Sequence, residues 1–381
     1  MKNFGILLAL LLIGIGCSSS PKISTTALFE NGTGPYQCYR IPALIKTQDG
    51  TLLAFIEGRK TDCADFGDVD LLMRSSKDGG LTWSAPTLLV DNSTLQVGNP
   101  APVLDQTDPN YPQGRLFLFY NTGTASEHEV RLGNGERRVA FITSTDQGTT
   151  WSTPTDITSS VHFNASTGGA SLDWRTHANT PGHALQLTKG NYKGRIYIPA
   201  NHSTGDPQDH FNEYRSYGFY SDDHGESWHT SVDVPVPSSN EAIGAELPNG
   251  DLMLNIREQN GETKRRLIAL SKDGGATWDS PYFDEALMSP VCQSSLLFFE
   301  GKNNSYLVYS GPNSETKREK MTLKFSTDYG KTWAKSFEVY AGESAYSDLV
   351  QIDGDHLGIL YEEDQKRVVF VKINPEAVPP D

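Results

Sequence analysis

Four arginines are set in distinctive surroundings. Arg40 stands in YRIPAL, Arg59 in FIEGRKTDCADFGDVD, Arg257 closes LNIR, and Arg318 lies in GPNSETKREKMT. A guanidinium is a rigid fork that can take both oxygens of a carboxylate, so several that converge make a carboxylate site. Any one of them alone reads as a solvated surface residue. The chain as a whole repels anions, because 32 Lys and Arg against 47 Asp and Glu leave a formal charge of −15. An anionic ligand is therefore held only where basic groups are gathered locally. Groups able to move protons stand in comparable contexts: Asp62 and Asp65 after Arg59, Glu241 in SNEAI, and Tyr346 in SAYSDLV.

Such residues act together only if the fold gathers them, and repeats supply the means. Five segments read S-x-D-x-G-x-[TS]-W: Ser76–Trp83, Ser144–Trp151, Ser221–Trp228, Ser271–Trp278 and Ser326–Trp333. They hold five of the six Trp, which marks a repeat. The Asp can accept from backbone N–H groups ahead of it, the Gly can take φ > 0, and the Trp is a large apolar plug. Each box follows an alternating stretch such as LLMRS, VAFITS or LIALS, so it closes a hairpin. A second motif, a turn followed by alternating apolar residues, recurs in DGTLLAF, QGRLFLF, KGRIYIP, NGDLMLN, NNSYLVY and DGDHLGILY. A short apolar strand precedes each. The unit is four antiparallel strands, and six such units predict an all-β, six-bladed propeller with the boxes at the 3–4 turns. In that geometry the start of strand 1, the end of strand 2 and the 2–3 connection share one face. All the residues named above fall there, opposite the boxes, where loops meet the central channel.

Other residues expected on that face are Asn99, Pro100, Tyr120, Asn121, His183 and His202. The stretch 159–182 carries Trp174, the sixth Trp. It reads either as a rim for the outer part of a ligand or as a loop plugging its own apolar residue.

Residues 1–16, MKNFGILLALLLIGIG, have one Lys and then an apolar run too short to span a bilayer, as in a secretory signal. Cys17 and the serines after it resemble a bacterial lipoprotein signal with a lipidated Cys, which predicts an exported chain, membrane-anchored or otherwise secreted. A tether is expected over 17–26 and the propeller over 27–381. Cys38, Cys63 and Cys292 remain, an odd number, so at least one is unpaired within the chain. A 38–63 bridge and three reduced thiols both stay open. There is no CxxC and no HExxH, which argues against zinc; no metal or cofactor is called for. The acidic balance argues against nucleic acid.

The boxes, the Arg-Ile-Pro motif at Arg40–Pro42 and the EGR…DxGDxD stretch together resemble the bacterial-type exo-α-sialidases over nearly the whole mature chain. The resemblance implies three Arg holding the carboxylate of sialic acid: Arg40, Arg257 and Arg318. It implies Arg59 as a further pocket Arg, Asp65 rather than Asp62 as the acid, Tyr346 as nucleophile, and Glu241, sixteen residues before Arg257, as its partner, with Glu246 the alternative. The chemistry suits these residue types. The anomeric carbon carries a carboxylate, which would repel a carboxylate nucleophile; a neutral Tyr with a base beside it avoids this. The acid must be protonated, which burial or substrate contact can arrange. The expected function is hydrolysis of terminal sialic acid from glycoconjugates. The alternatives are a trans-sialidase on the same scaffold and a non-catalytic propeller that binds glycan or protein.

Overall fold

The computed structural model describes residues 23–164, 167–169 and 171–380. The expected signal and Cys17 lie outside the described residues. Regular structure is nearly all strand; the helices Glu127–Arg131 and Thr158–Val161 are short.

The four-stranded antiparallel unit recurs along the chain. Cys38–Lys46, Leu52–Arg59, Val69–Ser76 and Thr87–Val90 pair in sequence order. Gln96–Asp105, Arg115–Gly123, Arg137–Ser144 and Thr155–Asp156 repeat the pattern. One parallel bridge, Val69 to Gln96, joins these two units into a single sheet. Trp174–Asn179, Ile196–Thr204, Tyr214–Ser221 and His229–Thr230 form the third unit, and Ser239–Glu246, Leu252–Glu258, Arg265–Ser271 and Tyr282–Met288 the fourth. The last sheet is threaded by one long strand, Lys335–Gln351. Its first half pairs with Glu319–Ser326, beyond which lie Tyr306–Pro312 and Ser295–Phe299. Its second half pairs with Leu357–Glu363, which pairs with Arg367–Ile373. The outermost strand of this group is N-terminal: Ser24–Glu30 pairs antiparallel with Arg367–Ile373. Ser24–Thr26, expected in the tether, are thus strand.

Core clusters form between successive units. Ala43, Leu53, Phe55 and Leu71 of the first pack with Leu116, Leu118 and Ile142 of the second. A strand covered on both faces has no solvent side, so all eight residues of Leu52–Arg59 are buried.

The boxes sit between third and fourth strands, as expected. In the first, Asp78 Oδ1 accepts from the backbone N–H of Leu81 at 3.0 Å and Thr82 at 2.9 Å, while Ser76 Oγ accepts from Gly80 N at 2.9 Å. Gly80 has φ of +90°, and a Cβ there would stand 2.2 Å from the Phe370 ring. The box Trp turns toward a neighbouring unit: Trp151 packs on Phe55, Trp228 on Phe119 and Trp278 on Tyr197 of the preceding unit, and Trp83 on Phe370 of the last sheet, with centroids 5.1–6.5 Å apart. The boxes therefore hold their own turns and also bond neighbouring units together.

Candidate active site

The innermost strand of a unit must present side chains at its end, and a regular ladder would aim alternate residues into the sheets. Bulges solve this. The register breaks between Arg40 and Ala43, Gly98 and Ala101, Trp174 and His177, Ser239 and Ala242, and Ser344 and Ser347. Each break leaves two residues out of the ladder and bends the strand. Among the residues so released are Ile41, Asn99, Thr176, Asn240, Glu241 and Tyr346, and all six line one cavity of about 240 Å³. Ile41 and Asn99 hold φ of +63° and +56°, which is costly for a β-branched residue above all. Buried carboxylates secure both: Glu362 Oε1 accepts from Ile41 N at 2.8 Å, and Glu57 Oε1 from Asn99 N at 2.9 Å.

Arg40, Arg59, Asp65, Glu241, Arg257, Arg318 and Tyr346 all line this cavity. Tyr346, 7% exposed, donates its hydroxyl proton to Glu241 Oε1 at 2.6 Å. Arg257 Nη1 donates to Glu241 Oε2 at 2.7 Å and to the Tyr346 hydroxyl at 3.1 Å. Arg40 and Arg318 stand 5.1 Å and 5.7 Å from the centre of the Tyr346 ring. Burial, then the Glu241 carboxylate, pushes the Tyr346 phenol well above its ordinary value, while Arg257, Arg318 and Arg40 pull it down. At rest the phenol is neutral, with a base in hydrogen-bond contact.

The acid loop is pinned to the same floor. Cys38 and Cys63 form a disulfide with Cα atoms 5.2 Å apart, which settles the alternative left open by the sequence; Cys292 is free and buried. Arg59 Nη1 donates to Cys63 O at 2.6 Å and to Asp65 Oδ1 at 2.8 Å, and its other donors go to Glu57. Arg40 Nη1 reaches the same Asp65 oxygen at 3.3 Å, and Arg40 Nη2 bonds Glu362 at 3.1 Å. Asp62 lies outside the cavity and caps Ala64 N. The Asp65 side chain is 79% exposed at the mouth. Desolvation acts upward on its carboxyl, but Arg59 and Arg40 outweigh it and hold the group below the usual range. Burial therefore does not keep Asp65 protonated.

Glu246, the alternative to Glu241, accepts from Thr188 and Lys189 and is no part of the cavity. Asn99 and Asn121 line the cavity. Tyr120 is in the core, and His183 is bonded to buried Asp348 at 2.7 Å. Trp174 is 9% exposed and stacks on His202 with centroids 3.5 Å apart, so it plugs the third unit and does not form a rim. Sequence reasoning missed Glu57, Glu362, Gln96, Arg137 and Gln259. Glu57 and Glu362 stand near the ends of strands buried throughout, and a carboxylate in so apolar a run was the available signal. Asp105, Asp108 and His224 have ligand atoms close enough for a metal ion, but Asp105 is already bonded to His224, Thr107 and Gln186.

Residues 50–359 match the model of the BNR repeat-like domain. The chain is 30% identical over 364 residues to a sialidase of Micromonospora viridifaciens; the match covers 90% of this chain and 52% of that one, so the chain spans about half the length of this relative. The Hadza microbial sialidase Hz136 superposes with a TM-score of 0.78 at 25% identity, over 91% of this chain and 67% of that one. An intramolecular trans-sialidase from Ruminococcus gnavus, solved in complex with oseltamivir carboxylate, gives 0.71 at 17% identity, over 92% and 97% of the two chains, and shares the fold. The family match over most of the chain, joined to 30% identity over 383 residues with sialidase-2 of Cricetulus griseus, covering 93% of this chain and 96% of that one, establishes that the protein belongs to the sialidase family built on BNR repeats.

Proposed function

We propose that the chain is a retaining exo-α-sialidase that removes terminal sialic acid from glycoconjugates, on a six-bladed propeller closed by pairing its N-terminal strand with its C-terminal one. The observation that carries this is the Tyr346–Glu241 hydrogen bond of 2.6 Å in a cavity lined by five Arg: Arg40, Arg59, Arg137, Arg257 and Arg318. The substrate carboxylate pairs with Arg40, Arg257 and Arg318. In doing so it competes with Asp65 for Arg40, and the Asp65 pKa rises as that ion pair loosens and water is displaced. Asp65 then protonates the leaving oxygen. Tyr346 Oη bonds to the anomeric carbon as its proton passes to Glu241, and Arg257, bonded to both, steadies the change in charge. Water, deprotonated by Asp65, then attacks from the face the aglycone left, the tyrosyl–sugar bond breaks, and Glu241 returns the proton to Tyr346 Oη, so two inversions retain the configuration. A fluorogenic sialoside tests turnover, and proton NMR of the first product tests the stereochemistry. Release of the α-anomer first is expected; a β-anomer first would overturn the Tyr route. A 2,7-anhydro product would instead favour the transferase reading, which rests on the fold shared with the Ruminococcus gnavus enzyme. No turnover of any sialoside would leave the non-catalytic propeller.

We further propose that the chain is exported and carries a lipid on Cys17. The sequence of residues 1–20 supports this. Palmitate labelling that persists in Cys17→Ser would count against it.

A further inference from the structure

Arg266 is the largest fully buried side chain among the described residues, at 1% exposure. Its hydrogen bonds run to amide oxygens, not to a carboxylate. Nε donates to Asn255 Oδ1 at 2.6 Å, Nη2 to Asn255 O at 3.3 Å, and Nη1 to Cys292 O at 2.5 Å. A buried guanidinium without an acid partner is expensive, and a core position needing only bulk would be filled more cheaply by an apolar residue. What it joins explains its presence. Asn255 lies two residues before Arg257 on the same strand, so both side chains face the same way. Cys292 is in the segment that feeds the innermost strand of the fifth unit. The preceding residue, Val291, sits at φ of +57° and accepts from Arg318 Nη2 at 2.8 Å. The Cys292 side chain packs with Tyr346 and Ile41. The next residue, Gln293, exchanges hydrogen bonds with the backbone of Ser347, at 3.0 Å to its N–H and 2.9 Å to its carbonyl. One rigid fork thus spans from the strand that carries Arg257 to the segment whose Val291 carbonyl holds the Arg318 side chain.

We propose that Arg266 is a positioning residue: by bridging Asn255 and Cys292 it fixes the separation of Arg257 and Arg318, and so sets how tightly the site holds a carboxylate. The inference rests on the sialidase reading and deepens it. Lysine in its place keeps the charge but is a single point on a flexible stem, unable to hold two loops in fixed relation. Small displacements of a binding fork are costly in rate.

The test compares Arg266→Lys and Arg266→Met with wild type on a fluorogenic sialoside and on its methyl ester, which lacks the charged carboxylate. Wild type is expected to favour the acid strongly. Both variants should lose roughly ten- to a hundredfold in kcat/KM on the acid and far less on the ester, so the acid-to-ester ratio collapses. A defect of folding alone would lower both substrates alike. A ratio equal to wild type in a folded variant overturns the proposal, as does failure of both variants to fold, which would make Arg266 a stability residue only. If wild type itself turns over neither substrate, the sialidase reading fails and this inference fails with it. Wild-type turnover with an unchanged ratio in the variants removes this inference alone.

Discussion

Tyr346 and Glu241 are 105 residues apart in the chain and 2.6 Å apart in space. If their contact is the catalytic pair, Tyr346→Phe removes the nucleophile with little loss of volume. Turnover should fall by at least about a thousandfold while the melting temperature stays within a degree or two. Wild-type rates in that variant would exclude the role. A different kind of residue controls acid stability. Burial holds the His162 imidazole down at about 3, and His177 beside it is also pushed well below its ordinary value. The unfolded chain takes up protons below about 6.5 that the folded chain refuses, so the stability contributed by neutral His162 is complete above that pH and declines as pH falls toward 3. The slope is at most about 1.4 kcal/mol per pH unit for one such group. Chemical denaturation at a series of pH values should show this slope reduced in His162→Leu; an identical slope would mean that His162 is not responsible. The Arg, Tyr and Glu positions were legible in the sequence because each stands in a recognisable motif near an expected strand boundary, although the strand of Tyr346 in fact runs through from Lys335 to Gln351 and is broken there only by a bulge. His162 was not legible, since nothing local distinguishes a buried histidine from a solvated one.

At the scale of elements, the boxes were the most readable feature and the bulges the least. A box is local: its Asp, Ser, Gly and Trp are all within eight residues, so type and spacing reveal the turn. That its Trp reaches a neighbouring unit was not readable, because the partner lies in another repeat. The bulges leave even less trace. Ile41 and Asn99 adopt positive φ through carboxylates donated from elsewhere in the chain, Glu362 and Glu57, and a single sequence does not show that pairing. The two kinds of element should respond differently to mutation. In the fourth unit's box, Asp273 accepts from Thr277 N at 2.9 Å and Ser271 Oγ at 2.7 Å. Asp273→Ala leaves these donors without their acceptor and should cost about 1–3 kcal/mol. Because the box lies at the opposite end of the strands from the cavity, kcat/KM at a temperature where the variant is folded should stay within about twofold of wild type. Thermal melts and steady-state rates on the same preparation check both. A large loss of activity without loss of stability would give the boxes a part in the chemistry.

At the scale of the molecule, the order of the units followed from the repeats, but the pairing of the first strand with the last did not. The sixth unit has three strands near the C-terminus, Ser344–Gln351 within the long strand, Leu357–Glu363 and Arg367–Ile373, and the repeat pattern holds no fourth after them. The chain supplies it from the other end. Ser24–Glu30 pairs with Arg367–Ile373, and Leu28 and Phe29, both 2% exposed, join the cluster that includes Leu44, Leu52, Val350 and Phe370. The strand also leads into Asn31, whose Nδ2 donates to Gln365 O at 2.8 Å and whose Oδ1 accepts from Tyr39 N at 2.9 Å, one residue before Arg40. That pairing and the site are therefore mechanically connected: Glu362, which holds Arg40, is on the strand next to Arg367–Ile373. A chain lacking residues 1–22 keeps the strand and should melt like the full chain. A chain lacking residues 1–30 exposes a long apolar sheet edge and empties the places of Leu28 and Phe29. Each lost side chain costs about 2–5 kcal/mol, so the melting temperature should drop by about 10 °C or more, with aggregation through the bare edge. Below that temperature, kcat/KM should fall as well, with KM taking most of the change, if Arg40 binds the substrate carboxylate as proposed, because its supports have loosened. Equal melting temperatures for the two truncations would mean that the N-terminal strand is an ornament on an already stable sheet.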